Sequence, residues 1–244
     1  MLVLINLESA EQRRTVMARQ LQALGCPFER VGIDLRGATR AAVENAVRER
    51  FPALHFDAKV LSSAEIGCWM SHLVAWQRLL HTEAPAAAVI EDDLRLAPEF
   101  AAAVAALQSR DTLDIVYLGT SSRNLSMRRG WVLNGLAVYK PVGVIFNTWG
   151  YSITADYARR FFARPPRRIA LPIDHFLGGR GGPDRPTIGV LQPAVVREDP
   201  ALAAASQIGP HTRRLDRSLW FQQARRRLLA SSVSEFYYSL YRYL

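Results

Sequence analysis

The chain has 244 residues, 49% of them hydrophobic and 22% charged, and carries a formal charge of +9. That balance excludes a disordered chain, and with no apolar run of about 18 residues a membrane-spanning helix is not expected. The excess of base calls for an anionic partner: nucleotide phosphates, nucleic acid or an acidic membrane surface.

The length can bury a large core, as one domain or one domain plus an appendage. Cys26 and Cys68 show no metal or redox spacing, so reduced thiols in the cytoplasm are the expectation. The opening MLVLINLESAEQRR lacks a basic n-region and a cleavage site and reads as a strand, not a signal peptide.

Leu2–Leu7 is that short apolar strand. Ser9 with Gln12 fits a capping box, and Met17, Leu21 and Leu24 form the buried stripe of the following helix, which Gly25 ends. Arg13 and Arg14 fall in its first turn, where the macrodipole disfavours cations, and Arg13 shares the Met17–Leu21 stripe. They suggest either an anion site or a structural ion pair. Phe28–Asp34 is a second strand, giving β-α-β and a parallel sheet. Asp34, just past its end, either accepts hydrogen bonds from a sugar or base or caps a turn with Gly37. Residues 38–50 read as helical, whereas Phe51–Leu61 has no assignable pattern.

Ser62 and Glu65 make another capping box, opening a helix to about Leu80 on which Glu65, Trp69, His72 and Trp76 share one face. His72 there is a packed core histidine or a ligand, and Glu65 is explained by capping. Ala86–Asp93 (AAAVIEDD) is the stretch around which the rest is organised. An apolar run ends in three consecutive carboxylates, Glu91, Asp92 and Asp93. Such a run is a buried parallel strand, and open α/β sheets bind ligands beyond the carboxyl ends of their strands. Adjacent acids repel, and Mg²⁺ or Mn²⁺ holding a phosphate would offset that charge. A solvated acidic loop is the plainer alternative.

Pro98 opens an alanine-rich helix to about Ser109, and Asp114–Leu118 is a strand ending at Gly119. The polar Thr120–Arg129, with Arg123, Arg128 and Arg129, is a mobile active-site loop or simply exposed. Trp131–Lys140 and Val142–Thr154 read as strands around Pro141, and Thr154 or Ala155 starts a helix ending before Pro165. Pro172–His175 precedes an irregular GGRGGP, and Thr187–Leu191 is a last short strand. In residues 210–244, Arg213, Arg214, Arg217 and Arg225–Arg227 interleave with Leu219, Trp220, Phe221, Leu228 and Leu229. That segment reads as an anchor on an anionic membrane or as a terminal helix packed on the domain. No recognition motif accompanies the charge, so nucleic acid is not expected.

In order, INLESAEQRR, FERVGIDLRG, LSSAEIGCWMSHLVAWQRLL, AAVIEDDLRLAPEF, DIVYLG, WGYSITADYARRFF and PIDHFL resemble glycosyltransferase family 25. That family includes lipooligosaccharide galactosyltransferases of bacteria and collagen galactosyltransferases of animals. The likeness covers roughly residues 2–195 and is most specific at Glu65, Gly67, Ser71, His72 and Trp76 and at the EDD strand end. Phe51–Leu61 departs from it, and the arginine-rich tail lies outside.

The resemblance implies a GT-A-like α/β domain over residues 1–209, with a mostly parallel sheet flanked by helices; the basic helical segment at 210–244 is read from its own residues. It implies inverting sugar transfer, with UDP-galactose or UDP-glucose as donor and a saccharide hydroxyl of a lipooligosaccharide or similar glycolipid as acceptor. Such an enzyme would work in the cytoplasm, peripheral to the inner face of the plasma membrane. The EDD end becomes a variant of a D-x-D pattern. Asp93 holds Mn²⁺ or Mg²⁺, Glu91 serves the ribose or supports the site, and Asp92 shares in cofactor or metal binding. Asn6, Ser71 and His72 join the donor site, with Arg13 or Arg14 on the diphosphate and Asp34 on the nucleoside. Asp174 is the base, and His175 a metal ligand or alternative base. A metal phosphohydrolase, a nucleotidyltransferase or a non-catalytic nucleotide-sugar-binding module would use the same carboxylates.

Overall fold

A computed structural model describes residues 1–108, 112–120, 125–142, 145, 147–180 and 185–203. The elements are β1 (Leu2–Ile5), α1 (Glu11–Ala23), β2 (Glu29–Val31), α2 (Arg40–Arg50), α3 (Ser63–Leu80), β3 (Ala86–Glu91), β4 (Leu94–Leu96), α4 (Phe100–Leu107), β5 (Ile115–Tyr117), β6 (Leu125–Leu133), β7 (Leu136–Pro141), β8 (Gly150–Thr154), α5 (Ala155–Ala163), α6 (Ile173–His175) running into a π-helical turn (Phe176–Arg180), β9 (Ile188–Gln192), β10 (Val196–Glu198) and α7 (Pro200–Ala203). One sheet has the order β2-β1-β3-β8-β5-β9-β7-β6, in which β8 and β7 run against the other strands. This is the expected α/β class, with a mixed sheet.

Alternation along each strand builds two cores. Val3, Val89, Ile115 and Tyr117 face Trp69, Trp76 and Phe161 of α3 and α5. Leu4, Ile90, Val116 and Leu118 face Met17, Leu21, Phe100 and Leu107 of α1 and α4. Burial of a single leucine such as Leu73, fully buried on α3, contributes about 1.5–3 kcal/mol. Strands covered on both faces must be apolar throughout, which is why β3 reads as an unbroken run.

The capping box of α3 forms as expected, with the Ser62 hydroxyl accepting from the Glu65 N–H and the Glu65 carboxylate accepting from the Ser62 N–H. Gly67 lets the helix lie against the chain after β2, since a Cβ there would come within 2.8 Å of the Ile33 carbonyl oxygen. The expected box at Ser9 and Gln12 does not form. Helix α1 starts from Ala10 without a side-chain cap, because the Ser9 hydroxyl accepts instead from Arg36 Nη2 at 2.7 Å.

Three further expectations are corrected. Asn134 and Gly135, both at positive φ, turn the chain inside the stretch read as one strand, so β6 and β7 form a hairpin. Leu125 and the residues after it belong to the edge strand β6 and not to a loop, and an edge position suits polar sequence. Pro141, which has no N–H to donate, ends β7, and only Gly150–Thr154 of the following stretch is strand. The GGRGGP segment begins in the π-helical turn. Phe51–Leu61 is held through Phe56 and Asp57 against Ile169. Arg123, residues 181–184 and the basic segment 210–244 lie outside the described residues.

Candidate active site

Strands β1 and β3 are parallel with Ile5 opposite Glu91, so Asn6 and Asp92 leave the sheet side by side. Asn6 is buried and its Nδ2 donates to Asp92 Oδ2 at 2.7 Å and to the Ala10 carbonyl at 3.1 Å. Arg13 points inward from α1, as its place on the apolar stripe suggested. Its Nη1 donates to Asp92 Oδ1 at 2.8 Å and its Nη2 to the Leu202 carbonyl at 2.8 Å. Both oxygens of Asp92 are therefore engaged within the chain.

Asp93 is placed differently. Its Oδ2 lies 3.7 Å from Arg13 Nη1, and its buried Oδ1 has no hydrogen-bond partner among the described residues. Burial, and then the charge of Glu91, push its carboxyl up to about 7, with Arg13 opposing and Asp92 and Glu198 adding to the rise. Glu91 has the opposite balance. Burial pushes it up, but His72 and the Thr148 hydroxyl, which donates to Glu91 Oε1, hold it below the usual carboxylate range.

Behind Glu91, the His72 side chain is fully buried with Nε2 3.7 Å from Glu91 Oε1. Tyr151 connects it to Trp76 through hydrogen bonds of 2.8 and 2.9 Å. Ser71 is buried, accepting from the Ile33 N–H at 2.9 Å and donating to the Gly67 carbonyl at 2.9 Å, which ties α3 to the chain after β2. Arg14 donates to the exposed Glu8 at 3.2 Å. Asp34 is exposed, and Arg36 holds its carboxyl below the usual range through the 2.7 Å bond from Nε to Oδ1.

Asp174 accepts the His175 N–H at 2.8 Å through Oδ1, and its Oδ2 lies 3.9 Å from His175 Nε2. Its charge is felt at Tyr117 and at Cys68, whose thiol burial pushes well up and which senses Glu91 as well. The Tyr117 hydroxyl is buried and has no partner among the described residues.

The structure brings together Asn6, Arg13, Glu91, Asp92, Asp93 and, through Glu91, His72. It keeps Ser71, Arg14 and Asp34 on other partners. Sequence reasoning gave no role to Thr148, Tyr151, Tyr117 or Leu202. Tyr151 lies in a quoted motif, WGYSIT, while the Leu202 carbonyl carries no sequence signal at all.

A family model described as Glycosyltransferase family 25 (LPS biosynthesis protein) matches residues 1–177. A glycosyltransferase 25 family member of Anopheles gambiae is 28% identical over 181 residues, which is 71% of this chain and 30% of that protein. Procollagen galactosyltransferase 2 of Homo sapiens is 26% identical over 184 residues, 71% of this chain and 29% of its own length. Inactive glycosyltransferase 25 family member 3 of Homo sapiens is 26% identical over 127 residues, 50% of this chain and 21% of its own length. The chain spans less than a third of the length of these curated relatives.

Proposed function

Because the chain belongs to glycosyltransferase family 25, we propose that it moves a sugar from a nucleotide-sugar donor, UDP-galactose or UDP-glucose, to a saccharide hydroxyl on a glycan or glycolipid. The observation that carries this reading is the unpartnered, buried Oδ1 of Asp93 at the carboxyl end of β3. An acid held near neutrality without a hydrogen bond is costly in a fold unless a ligand uses it. Mn²⁺ or Mg²⁺ fits that oxygen, since such cations take one or two carboxylates plus substrate oxygens. Among the described residues no group of three or more His, Cys, Asp or Glu side chains is placed to hold an ion by itself. Asp93 would therefore hold the metal together with the diphosphate, while Asn6 and Arg13 keep Asp92 aligned behind it. When bound, the metal neutralises the charge that grows on the departing diphosphate.

Transfer with inversion needs a base to take the proton of the attacking hydroxyl. Asp174 supplies it, with Oδ1 anchored on the His175 N–H so that the carboxylate is held in one orientation.

The test is release of UDP from a panel of UDP-sugars with Mn²⁺, with and without glycan acceptors. Acceptor-dependent UDP release, lost in Asp93→Asn and strongly reduced in Asp174→Asn with donor affinity kept, is expected. Mn²⁺ alone should bind weakly and UDP should strengthen it. Release of phosphate or pyrophosphate instead would favour a phosphohydrolase or nucleotidyltransferase. The likeness to a relative named inactive favours one second reading, a module that binds UDP-sugar without turning it over. Tight UDP binding with no turnover on any acceptor would establish that reading.

A further inference from the structure

The fully buried His72 cannot touch a nucleotide, yet it points at a carboxylate that can. The Glu91 side chain keeps 26% of its surface exposed, whereas His72 keeps none. The hydrogen bonds behind it have a direction that follows from donor and acceptor chemistry. An indole N–H can only donate, so Trp76 Nε1 donates to the Tyr151 oxygen at 2.9 Å. The Tyr151 hydroxyl has one proton, and its remaining partner is His72 Nδ1 at 2.8 Å. Were Nδ1 the donor, the buried Tyr151 O–H would have no acceptor, an outcome that folded interiors avoid. The Tyr151 proton therefore goes to Nδ1, and the ring carries its proton on Nε2. That nitrogen is buried with no hydrogen-bond partner among the described residues and faces Glu91 Oε1 at 3.7 Å, a charge–dipole contact longer than a hydrogen bond. Thr148 donates to that same oxygen from the other side.

We propose that Trp76, Tyr151 and His72 form a one-way hydrogen-bonded relay that ends on His72 and aims its Nε2–H at the Glu91 carboxylate 3.7 Å away, which makes them residues that position Glu91 for nucleotide-sugar binding. The relay runs from Trp76 of α3 through Tyr151 of β8 and back to His72 of α3. Stacking of the His72 ring on Tyr151, with centroids 5.7 Å apart, keeps the two rings in place. With Thr148 donating to Oε1 and the fixed Nε2–H aimed at that same oxygen, the carboxylate keeps its other oxygen for a ligand hydroxyl. The donor-facing part of this proposal rests on the transferase reading; the direction of the relay does not.

The experiment uses the full chain with ¹⁵N-labelled histidine, UDP and Mn²⁺. Long-range ¹H–¹⁵N spectra should show His72 as the Nε2–H tautomer, and Tyr151→Phe should release that preference. By calorimetry, Tyr151→Phe should weaken UDP binding about fivefold and Glu91→Gln about tenfold. The double variant should be no weaker than Glu91→Gln alone, because groups that act through one another are not additive. His72→Gln, whose amide nitrogen replaces Nε2–H, should keep affinity within about threefold, while His72→Leu should match Glu91→Gln. This pair decides the matter if Tyr151→Phe does not fold. Additive losses, equal behaviour of the Gln and Leu variants, or an Nδ1–H tautomer in the wild type would overturn the relay. A wild type that binds no UDP defeats the transferase reading, and the tautomer alone then upholds or overturns the relay.

Discussion

Asp93 and Asp114 sit at opposite ends of the same sheet, and both are largely buried, with 19% and 13% of the side chain exposed. Asp114, just before β5, accepts from Arg160 through Oδ1, and from the Thr187 N–H and hydroxyl at 2.7 and 2.9 Å through Oδ2. Asp93, beyond β3, has an oxygen with no partner among the described residues. A cavity of about 450 Å³ opens at the Asp114 end, lined also by Glu83, Asp156 and Arg159. A cavity alone does not make a site, and the chemistry of the two acids differs. An acid whose partners are all supplied by the fold is structure, whereas an acid left costly is where a ligand can contribute, which is why the proposed donor site is placed at the Asp93 end.

The sharpest way to break this comparison is at Arg13, which serves the Asp93 end from both its terminal nitrogens. Arg13→Met strands the Asp92 carboxylate and the Leu202 carbonyl, and losing one partner of a buried pair costs about 3–5 kcal/mol. The melting temperature should fall on the order of 10 °C, which calorimetry reads directly. A fall of only a degree or two would mean that Asp92 finds other partners and that its saturation is incidental.

Asp93→Asn should move stability the other way. A carboxyl raised in the folded state to about 7, from an ordinary 3.8, binds its proton more tightly folded than unfolded. Its contribution is therefore whole below about pH 4 and lost as the pH rises to about 7. Neutral asparagine avoids that loss, so the variant should gain roughly 2–4 kcal/mol at pH 8 and nothing near pH 4. Thermal melts across that range check it. Equal effects at both pH values would remove the contrast with Asp114.

The smallest expected effect is Asp114→Asn. One amide can keep part of the Thr187 and Arg160 hydrogen bonds, so about 1–2 kcal/mol should be lost. UDP affinity should be unchanged, since the residue lies at the far end of the sheet. Weakened UDP binding in this variant would show that the cavity beside Asp114 belongs to the donor site after all.

The parts of the fold written in local pattern were legible: the apolar run of β3, the capping box of α3 and the inward stripe that carries Arg13. That three acids close the central strand was legible for the same reason, since acids ending an apolar run are a local fact. The division of labour within it was not. Asp92 differs from Asp93 only because Asn6 and Arg13, from the far N-terminus, reach the former and leave the latter. His72 was read as a core residue or a ligand, and Tyr151, which settles its orientation, comes from β8. The hairpin was a different kind of miss. Asn134–Gly135 is a local turn signal, but the apolar residues on both sides were taken as one strand.

Arg13 is bonded to a carbonyl 189 residues later in the chain. At synthesis rates of about 5–20 residues per second, roughly ten to forty seconds separate the emergence of the guanidinium from that of its last partner. Asp92 arrives part-way through that interval and is the first group able to share the charge. Until α7 follows, the nascent protein carries a half-satisfied arginine beside a cluster of acids at the mouth of an unfinished sheet. Whatever holds newly made chains in the cell meets this one with that cluster of acids still open.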